Sequence, residues 1–483
     1  MIFKEISLSN FKGIEKEVSI PLAPITLLFG GNSAGKSTVL QSFLYLYELL
    51  VNKNVDPTGS VKQGKNCLLN GFNNLIYKKD LSREMSIRLK LDVSEIILNT
   101  YLSESDEQYI ESSLAQTDSF ILNEPSIDDI SIRFVIAHNG KEPFLKSLFI
   151  EINDEPLFEL RQEENSPNIW MFIEQEYISS LDSIYGDSSI SNIILEGVGG
   201  KTFVTLTGFK SLIDILTSSI KVANNDWSTS ELYSSNPRVG KIIGEAILSQ
   251  LICDPINILK KEICKLCHIG PIRKTPIRGY APNNTPQDWY SGLAGWDRFA
   301  YSDDELKNRV NYFFGSSGFN TKYSFKVDGK YSNISVYDNS LDIENEPSEL
   351  GIGISQVFPF VVAACDSKTK LLSIEQPELH IHPGWQLAIS DLLIKAMKDS
   401  SDRMFLIETH SEELMLRLLS RVRWNESDER FDSNLVISPE SLSVICVYQH
   451  EGNPYYQRQH VTLDGDFELD WPEGFFEERY GEV

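Results

Sequence analysis

Cysteine is scarce in this chain. Six residues (Cys67, Cys253, Cys264, Cys267, Cys365 and Cys446) are scattered over 483 positions, which excludes a disulfide framework and fits a reducing compartment. No stretch approaches the run of ~20 apolar residues that a bilayer span needs, and the opening Met1-Ile2-Phe3-Lys4-Glu5-Ile6 lacks a basic region followed by an apolar block. The expectation is a cytoplasmic protein with no membrane contact. Positive charge is also short: 44 Lys and Arg stand against 69 Asp and Glu, a net charge of −25. Such a field opposes nonspecific binding to phosphate backbones, so direct nucleic-acid binding would need a local patch or a partner. There is no internal repeat.

What is present is a globular composition, with 41% hydrophobic, 23% charged and 11% aromatic residues. At about 150 residues per domain the length predicts two to four lobes. Phe3-Lys4-Glu5-Ile6-Ser7-Leu8 alternates as a strand does, and Ile25-Thr26-Leu27-Leu28-Phe29 is a buried-strand run ending in Gly30-Gly31. From Ser37 to Val51 the apolar residues Val39, Leu40, Phe43, Leu44, Tyr47 and Leu50 recur at helical spacing. Met85 to Val93, Ile130 to Ala137, Phe144 to Ile152 and Leu157 to Leu160 alternate between turn-rich segments and predict an antiparallel β subdomain. From about Glu174 to His268 the pattern turns helical, notably Ile242 to Cys267, with a polar loop over Asn224 to Asn236. In the C-terminal third, the short apolar runs Leu371 to Ile374 and Met404 to Ile407 are each followed by a helical pattern, as in a parallel sheet covered by helices.

Gly30-Gly31-Asn32-Ser33-Ala34-Gly35-Lys36-Ser37 satisfies G-x-x-x-x-G-K-[ST] in the required setting, after a strand and before a helix. Glycines at both ends let the backbone curl until successive amides point at phosphate oxygens, and the helix adds its positive end. Gly30, Asn32, Ser33, Ala34, Gly35, Lys36, Ser37 and Thr38 are the expected nucleotide-binding residues. Lys36 would neutralise the β- and γ-phosphates, and Ser37 would offer its hydroxyl to Mg²⁺. Such a site also needs a carboxylate at the end of a neighbouring strand; Glu375, closing Leu371-Leu372-Ser373-Ile374, is that candidate, with Gln376 and Glu378 behind it. Met404 to Ile407 runs into Glu408-Thr409-His410-Ser411 and brings His410 to a strand tip, where it would sense the γ-phosphate. Lys36 and Glu375 are further apart than one compact domain of ~100–150 residues accommodates, so the core sheet must be split around an insertion.

These segments resemble the ABC-type AAA ATPases related to SMC proteins, to recombination ATPases and to the overcoming-lysogenization-defect family. Leu8-Ser9-Asn10-Phe11-Lys12-Gly13-Ile14 looks like the family's opening strand, which implies a nucleotide-side role for Lys12. Ile374-Glu375-Gln376-Pro377-Glu378-Leu379-His380-Ile381-His382-Pro383 looks like its Walker B segment, and Glu408-Thr409-His410-Ser411 like its switch histidine. Leu350-Gly351-Ile352-Gly353-Ile354-Ser355-Gln356-Val357 resembles a degenerate signature motif, in which Gly353 and Ser355 would address the nucleotide of a second protomer. Gly270-Pro271-Ile272-Arg273 and Trp471-Pro472-Glu473-Gly474-Phe475-Phe476 look like features of a bacterial subgroup found in anti-phage operons, related to Septu and PARIS ATPase subunits. Where relatives carry a catalytic glutamate after the Walker B acid, this chain has Gln376, which cannot accept a proton from water. The resemblance therefore implies slow turnover, assisted by Glu378 or His410. The region Asn70 to Asn74 holds no Q-loop glutamine.

Competing signals carry less. Cys264-Lys265-Leu266-Cys267-His268 fits a haem-attachment spacing inside what reads as a helix, where core cysteines are the simpler reading. His380 and His382 have no third metal ligand nearby, and Asp464, Asp466, Glu468 and Asp470 read as a solvated acidic edge. Arg273, Lys274 and Arg278 form a basic cluster on a loop. The fold class expected is α/β, a P-loop ABC-type head with a split core sheet, an antiparallel β subdomain and a partly helical insertion. Its expected parts are an N-terminal lobe over 1–95, an insertion over 96–269 and a C-terminal lobe over 270–483. The function expected is an ATP- and Mg²⁺-dependent dimer switch, forming a homodimer or higher even-numbered oligomer. It would control a separate nuclease-like effector in bacterial antiviral defence. A DNA-repair ATPase, or a nuclease acting through the C-terminal acids, are the alternatives.

Overall fold

The computed structural model describes residues 3–469 apart from 59–68, 114–124, 165–167, 175, 188–189, 199–202, 218–219, 223–236, 286–287, 329–331, 425–431 and 451. The Asn224 to Asn236 loop, Cys67 and the Trp471 to Phe476 segment lie outside the described residues.

The chain opens with β1 (Phe3–Ser9), β2 (Val18–Pro21) and β3 (Ile25–Gly30), then helix α1 (Lys36–Leu50). β4 (Met85–Asp92) and α2 (Glu104–Ser113) lead into a meander of β5 (Asp129–His138), β6 (Pro143–Ile152), β7 (Glu155–Gln162) and β8 (Ile169–Ile173). Helices α3 (Ser180–Tyr185) and α4 (Ile190–Gly197), strand β9 (Phe203–Leu206) and the long helix α5 (Pro237–Ile263) follow. Then come β10 (Leu266–Ile269), α6 (Leu293–Ala300), α7 (Asp304–Tyr312), β11 (Tyr323–Val327), β12 (Ile334–Asp338) and β13 (Ile343–Asn345). The last part holds α8 (Ile352–Cys365), β14 (Leu371–Glu375), α9 (Pro383–Lys398), β15 (Met404–Thr409), α10 (Glu412–Arg423), β16 (Leu442–His450) and β17 (Asn453–Gln459).

Three sheets result among the described residues. An eight-stranded antiparallel sheet runs β2-β1-β4-β5-β6-β7-β8-β9, and a small one joins β11, β12 and β13. The expected β subdomain is thus larger than its sequence signal, because the first two strands join it and the sheet spans both sides of residue 95. The core sheet runs β10-β14-β15-β3-β16-β17, parallel except at the β17 edge. Its strands are apolar on both faces, as sheets covered on both sides require: β3 and β15 are buried throughout. Alternation sorts each strand between two cores. Leu28, Leu371, Met404 and Leu406 face α1, α5 and the antiparallel sheet, whereas Leu27, Leu372, Phe405 and Ile407 face α6 to α10. The strand P-loop helix unit therefore comes from the N-terminus and its neighbours from the C-terminus, which is the split architecture expected.

Two expectations are corrected. Within α5, Arg238 to Ile263 is long and apolar enough to cross a membrane, contrary to the sequence reading, but most of it is buried inside the protein. Its apolarity serves a helix buried in a core shared with α1, the antiparallel sheet and one face of the parallel sheet. The helix also stops at Ile263, so the Cys-Lys-Leu-Cys-His segment straddles a turn and a strand: Cys264 is exposed, while Cys267 and His268 are buried in β10.

Candidate functional site

The loop between β3 and α1 is shaped by two glycines. Gly35 adopts a left-handed φ of 113° as it caps α1, a conformation that glycine enters without strain. A Cβ on Gly30 would sit 2.1 Å from the Val447 carbonyl oxygen, so the strand can approach β16 only as glycine. Ser33 also takes a positive φ of 59°. Gly31, Asn32 and Ser33 are exposed on the loop's crest, whereas Ala34 and Thr38 are buried beneath it. The β16–β17 hairpin buttresses this loop, a contribution that had no motif to announce it. The Tyr456 hydroxyl donates to the Gly35 carbonyl at 2.9 Å, and Gln449 Nε2 donates to the Ala34 carbonyl at 3.2 Å. Pro454 lies against both Gly35 and Gly13. The Lys12 turn is thereby held beside the P-loop, with Lys12 itself at φ 52° and its amide bonded to the Leu75 carbonyl.

Lys36 is 3% exposed and folds back on its own loop. Its Nζ donates to the carbonyls of Gly30 at 3.0 Å and Gly31 at 2.8 Å and to His410 Nε2 at 3.2 Å. Burial lowers the Lys36 pKa, against the pull of Glu408 and Glu378. Burial and the Lys36 charge likewise hold His410 below its ordinary 6.5, so its neutral ring accepts from the lysine. The Ser37 hydroxyl donates to Glu408 Oε2 at 2.6 Å, and Glu408 Oε1 lies 3.8 Å from Lys36 Nζ. Burial pushes the Glu408 carboxyl up, with Glu375 and Glu378 adding repulsion.

The two strand-end acids, Glu375 and Glu408, lie on adjacent strands. Glu375 ends β14, two strands from β3, and its carboxylate meets His268 Nε2 at 3.2 Å. The acid at Ser37 is Glu408, in register with Glu375 on the intervening strand. Both glutamates alternate onto the face that carries α1. The sequence signal for Glu408 is its place at the head of the switch-histidine segment. Glu378 accepts from the His410 amide at 2.7 Å and from the Thr409 hydroxyl at 2.9 Å; burial pushes its carboxyl up despite these donors. Gln376 stands at φ 47° and its amide donates to the Glu408 carbonyl at 2.7 Å, pinning the Walker B turn to the next strand.

Arg273 is 2% exposed, so the basic cluster read from the sequence is not a surface patch. Its Nη2 donates to the carbonyls of Glu375 at 2.5 Å and Gln376 at 3.1 Å, while its backbone amide donates to Gln356 Oε1 at 3.1 Å and its carbonyl accepts from Gln356 Nε2. Burial pulls its pKa down to about 10. Arg278 is exposed beside Glu346. The signature segment forms the start of α8, capped by Gly351, with Gly351 and Ile352 exposed and Gly353 half-buried against the His380 carbonyl. Ser355 departs from expectation: its side chain is fully buried, because it falls on the inward face of α8. The helix end available to a second protomer is therefore backbone at Gly351 to Gly353.

The competing signals also find places. His382 Nδ1 accepts from the Gly384 amide and caps α9. Asp466 pairs with Arg423, which also donates to the Asp464 carbonyl, on an exposed edge, and among the described residues no cluster of three His, Cys, Asp or Glu side chains fits a metal. Asp470 lies outside the described residues.

Residues 1–183 match the model of a family described as an AAA ATPase domain. Residues 271–416 match one described as an AAA domain, putative AbiEii toxin, type IV TA system. Both matches are to AAA-type domains, one toward each end of the chain. The chain is also similar to solved SMC heads. An SMC head from Thermotoga maritima shares 9% identity at a TM-score of 0.39, covering 95% of this chain and 100% of that one. An Smc head with an extended coiled coil bound to the C-terminal domain of ScpA, from Pyrococcus furiosus, shares 10% at 0.41, covering 95% and 97%. A further Smc head, bound to the C-winged helix domain of ScpA, shares 9% at 0.41, with the same coverage. No curated protein matches the sequence.

Proposed function

We propose that this ATPase binds ATP and Mg²⁺ at Lys36, Ser37 and the strand-end acids, and works as a nucleotide-driven switch between paired copies. The observation that carries the reading is the meeting of Ser37 and Glu408, 371 residues apart in the chain, at 2.6 Å. The donor set fits the metal: a hydroxyl and carboxylates are the hard oxygen ligands Mg²⁺ takes. When bound, the ion would neutralise charge on the β- and γ-phosphates. The chain's own residues do the rest. The loop amides and the α1 N-terminus receive phosphate oxygens, Lys36 turns from its loop carbonyls to the phosphates, and neutral His410 sits within reach of the γ-position. Gln376 can orient an attacking water but not deprotonate it, so turnover is slow unless Glu378 or His410 assists. Backbone at Gly351 to Gly353 of a second copy caps the nucleotide, binding closes the pair and hydrolysis opens it.

The output we infer is control of a separate, nuclease-like effector in bacterial antiviral defence. Its support is the match of residues 271–416 to a family described as an AAA domain, putative AbiEii toxin, type IV TA system, together with the resemblance described above. The test is Lys36→Ala. It should weaken binding of a fluorescent ATP analogue at least about tenfold, since ~1.4 kcal/mol of lost phosphate contact already suffices, and abolish recovery of the effector's ATP-dependent complex from cells. Equal ATP binding by the variant sinks the proposal.

A further inference from the structure

We infer that Tyr456 and Gln449, on the β16–β17 hairpin, are positioning residues that set the direction of the P-loop amides for phosphate; the inference rests on the ATP-binding reading above and deepens it. Nucleotide phosphate is received by backbone N–H groups, and such a group is aimed only by turning its whole peptide plane. In a trans peptide the carbonyl of one residue and the N–H of the next point in opposite directions, and no cis peptide occurs among the described residues. A donor that holds the carbonyl from outside the loop therefore aims the following N–H inward. Two carbonyls of the loop are held in this way. The Tyr456 hydroxyl donates to that of Gly35 at 2.9 Å, and Gln449 Nε2 to that of Ala34 at 3.2 Å. The amides so directed belong to Lys36 and Gly35, at the start of α1, where a P-loop cradles the α- and β-phosphates.

Strand register puts both donors in place. β16 runs parallel to β3 with Val447 beside Gly30, and β17 returns with Tyr456 opposite Val447 and Pro454 opposite Gln449. Side chains alternate along each strand, so Val447, Gln449, Pro454 and Tyr456 share one face. Val447 and Tyr456 pack in the core that α1 covers, which makes this the face where the P-loop turns into its helix. The fit is close: a Cβ on Gly35 would lie 3.0 Å from Pro454 and 3.1 Å from the Tyr456 hydroxyl. The Gly35 carbonyl also accepts from the Thr38 amide at 3.1 Å, so it is fixed from the helix and from the hairpin at once. Burial pushes the Tyr456 pKa up, against a hydrogen bond with the Thr38 side chain, and the hydroxyl stays a donor at any working pH. Packing alone does not call for this hydroxyl, since phenylalanine would fill the same space.

The experiment compares two variants of the full chain with the wild type. Tyr456→Phe deletes only the hydroxyl; Gln449→Met deletes the other donor at an exposed position, and so keeps a folded chain in hand should the first change disturb folding. Thermal melts without nucleotide check both. Affinities for fluorescent ADP and for a fluorescent, non-hydrolysable ATP analogue are then measured with Mg²⁺ present. Loss of one such hydrogen bond should raise each Kd by about 2- to 10-fold. The factor should be the same for ADP and for the ATP analogue, because the two amides serve the phosphates that both ligands carry. Wild-type affinity in both variants, whatever their melting temperatures, reduces the hairpin to packing and overturns the inference. A loss confined to the ATP analogue overturns it too. Failure of the wild type to bind either ligand is a different result: it removes the ATP-binding reading, and the inference falls with it.

Discussion

At the scale of single residues, the pocket is a set of polar groups satisfied by one another. Lys36, Ser37, Glu408, Glu378 and His410 each hold a partner within the protein, so under the proposed reading the affinity for nucleotide reflects an exchange of contacts and not a simple gain. His410 offers a readable consequence. Because its folded pKa lies below 6.5, folded and unfolded chains are alike above that value. As pH falls below it, the unfolded chain takes up a proton first and stability is lost until the folded pKa is passed. Raised carboxyls such as Glu408 act in the opposite sense, so the histidine's share appears only by difference. Wild type should lose more melting temperature than His410→Gln between pH 7.5 and 5.5; parallel curves would show that the ring carries no such linkage. The sequence disclosed the glycines, Lys36 and Ser37 because spacing and chemistry coincide there. It did not show that Glu408 meets Ser37, because a strand-end acid's partner depends on which strands are neighbours, and the order β14-β15-β3 is a long-range outcome. Ser355 misled for a related reason: its motif neighbour Gly353 borders the surface, but two residues further the helix has turned inward.

At the scale of elements, the loop carrying Arg273 works as a tie between the start of α8 and the Walker B turn. Gln356 grips the Arg273 backbone from α8, and the guanidinium grips Glu375 and Gln376. α8 itself is set firmly: Gly295 of α6 has no room for a Cβ against Pro359, and Trp296 stacks on Phe358 at 3.9 Å. Movement imposed on the α8 N-terminus therefore reaches the acids through few joints. Gln356→Ala leaves a buried amide and carbonyl unpaired, at ~1–3 kcal/mol each, so about 2–6 kcal/mol should be lost in urea unfolding. A loss under about 0.5 kcal/mol, within the range of an ordinary surface change, would mean water or repacking replaces the tie. Periodicity made the strands of this region and of the β subdomain legible. It missed the tie because a glutamine on a buried helix face and an arginine on a loop have no repeating pattern.

At the scale of the whole molecule, the exposed start of α8 has apolar company. Ile352 is 57% exposed, and Ile272 and Ile277 on the Arg273 loop are 75% and 77% exposed. Apolar side chains grouped beside an exposed helix N-terminus suit a surface that is covered part of the time. Light scattering should show the mass doubling when a non-hydrolysable ATP analogue and Mg²⁺ are added. Ile352→Asp should keep the chain single while leaving its melting temperature within a few degrees; doubling in that variant would place the contact elsewhere. The split of the core sheet was legible from the distance between its motifs, whereas the fusion of the first two strands with the insertion's sheet was not, since antiparallel partners leave no trace of their identity in sequence.

The position of β3 between β15 and β16 also imposes a schedule on synthesis. At ~5–20 residues per second, the ribosome needs roughly 20–75 s to travel from Ser37 to Glu408. Throughout that interval both future neighbours of β3 are still untranslated. A polypeptide arrested anywhere before β15 has its glycine-rich loop complete in letters yet lacks the flanking backbone that gives the loop its shape. The apolar β3 must wait unpaired until the distant strands arrive.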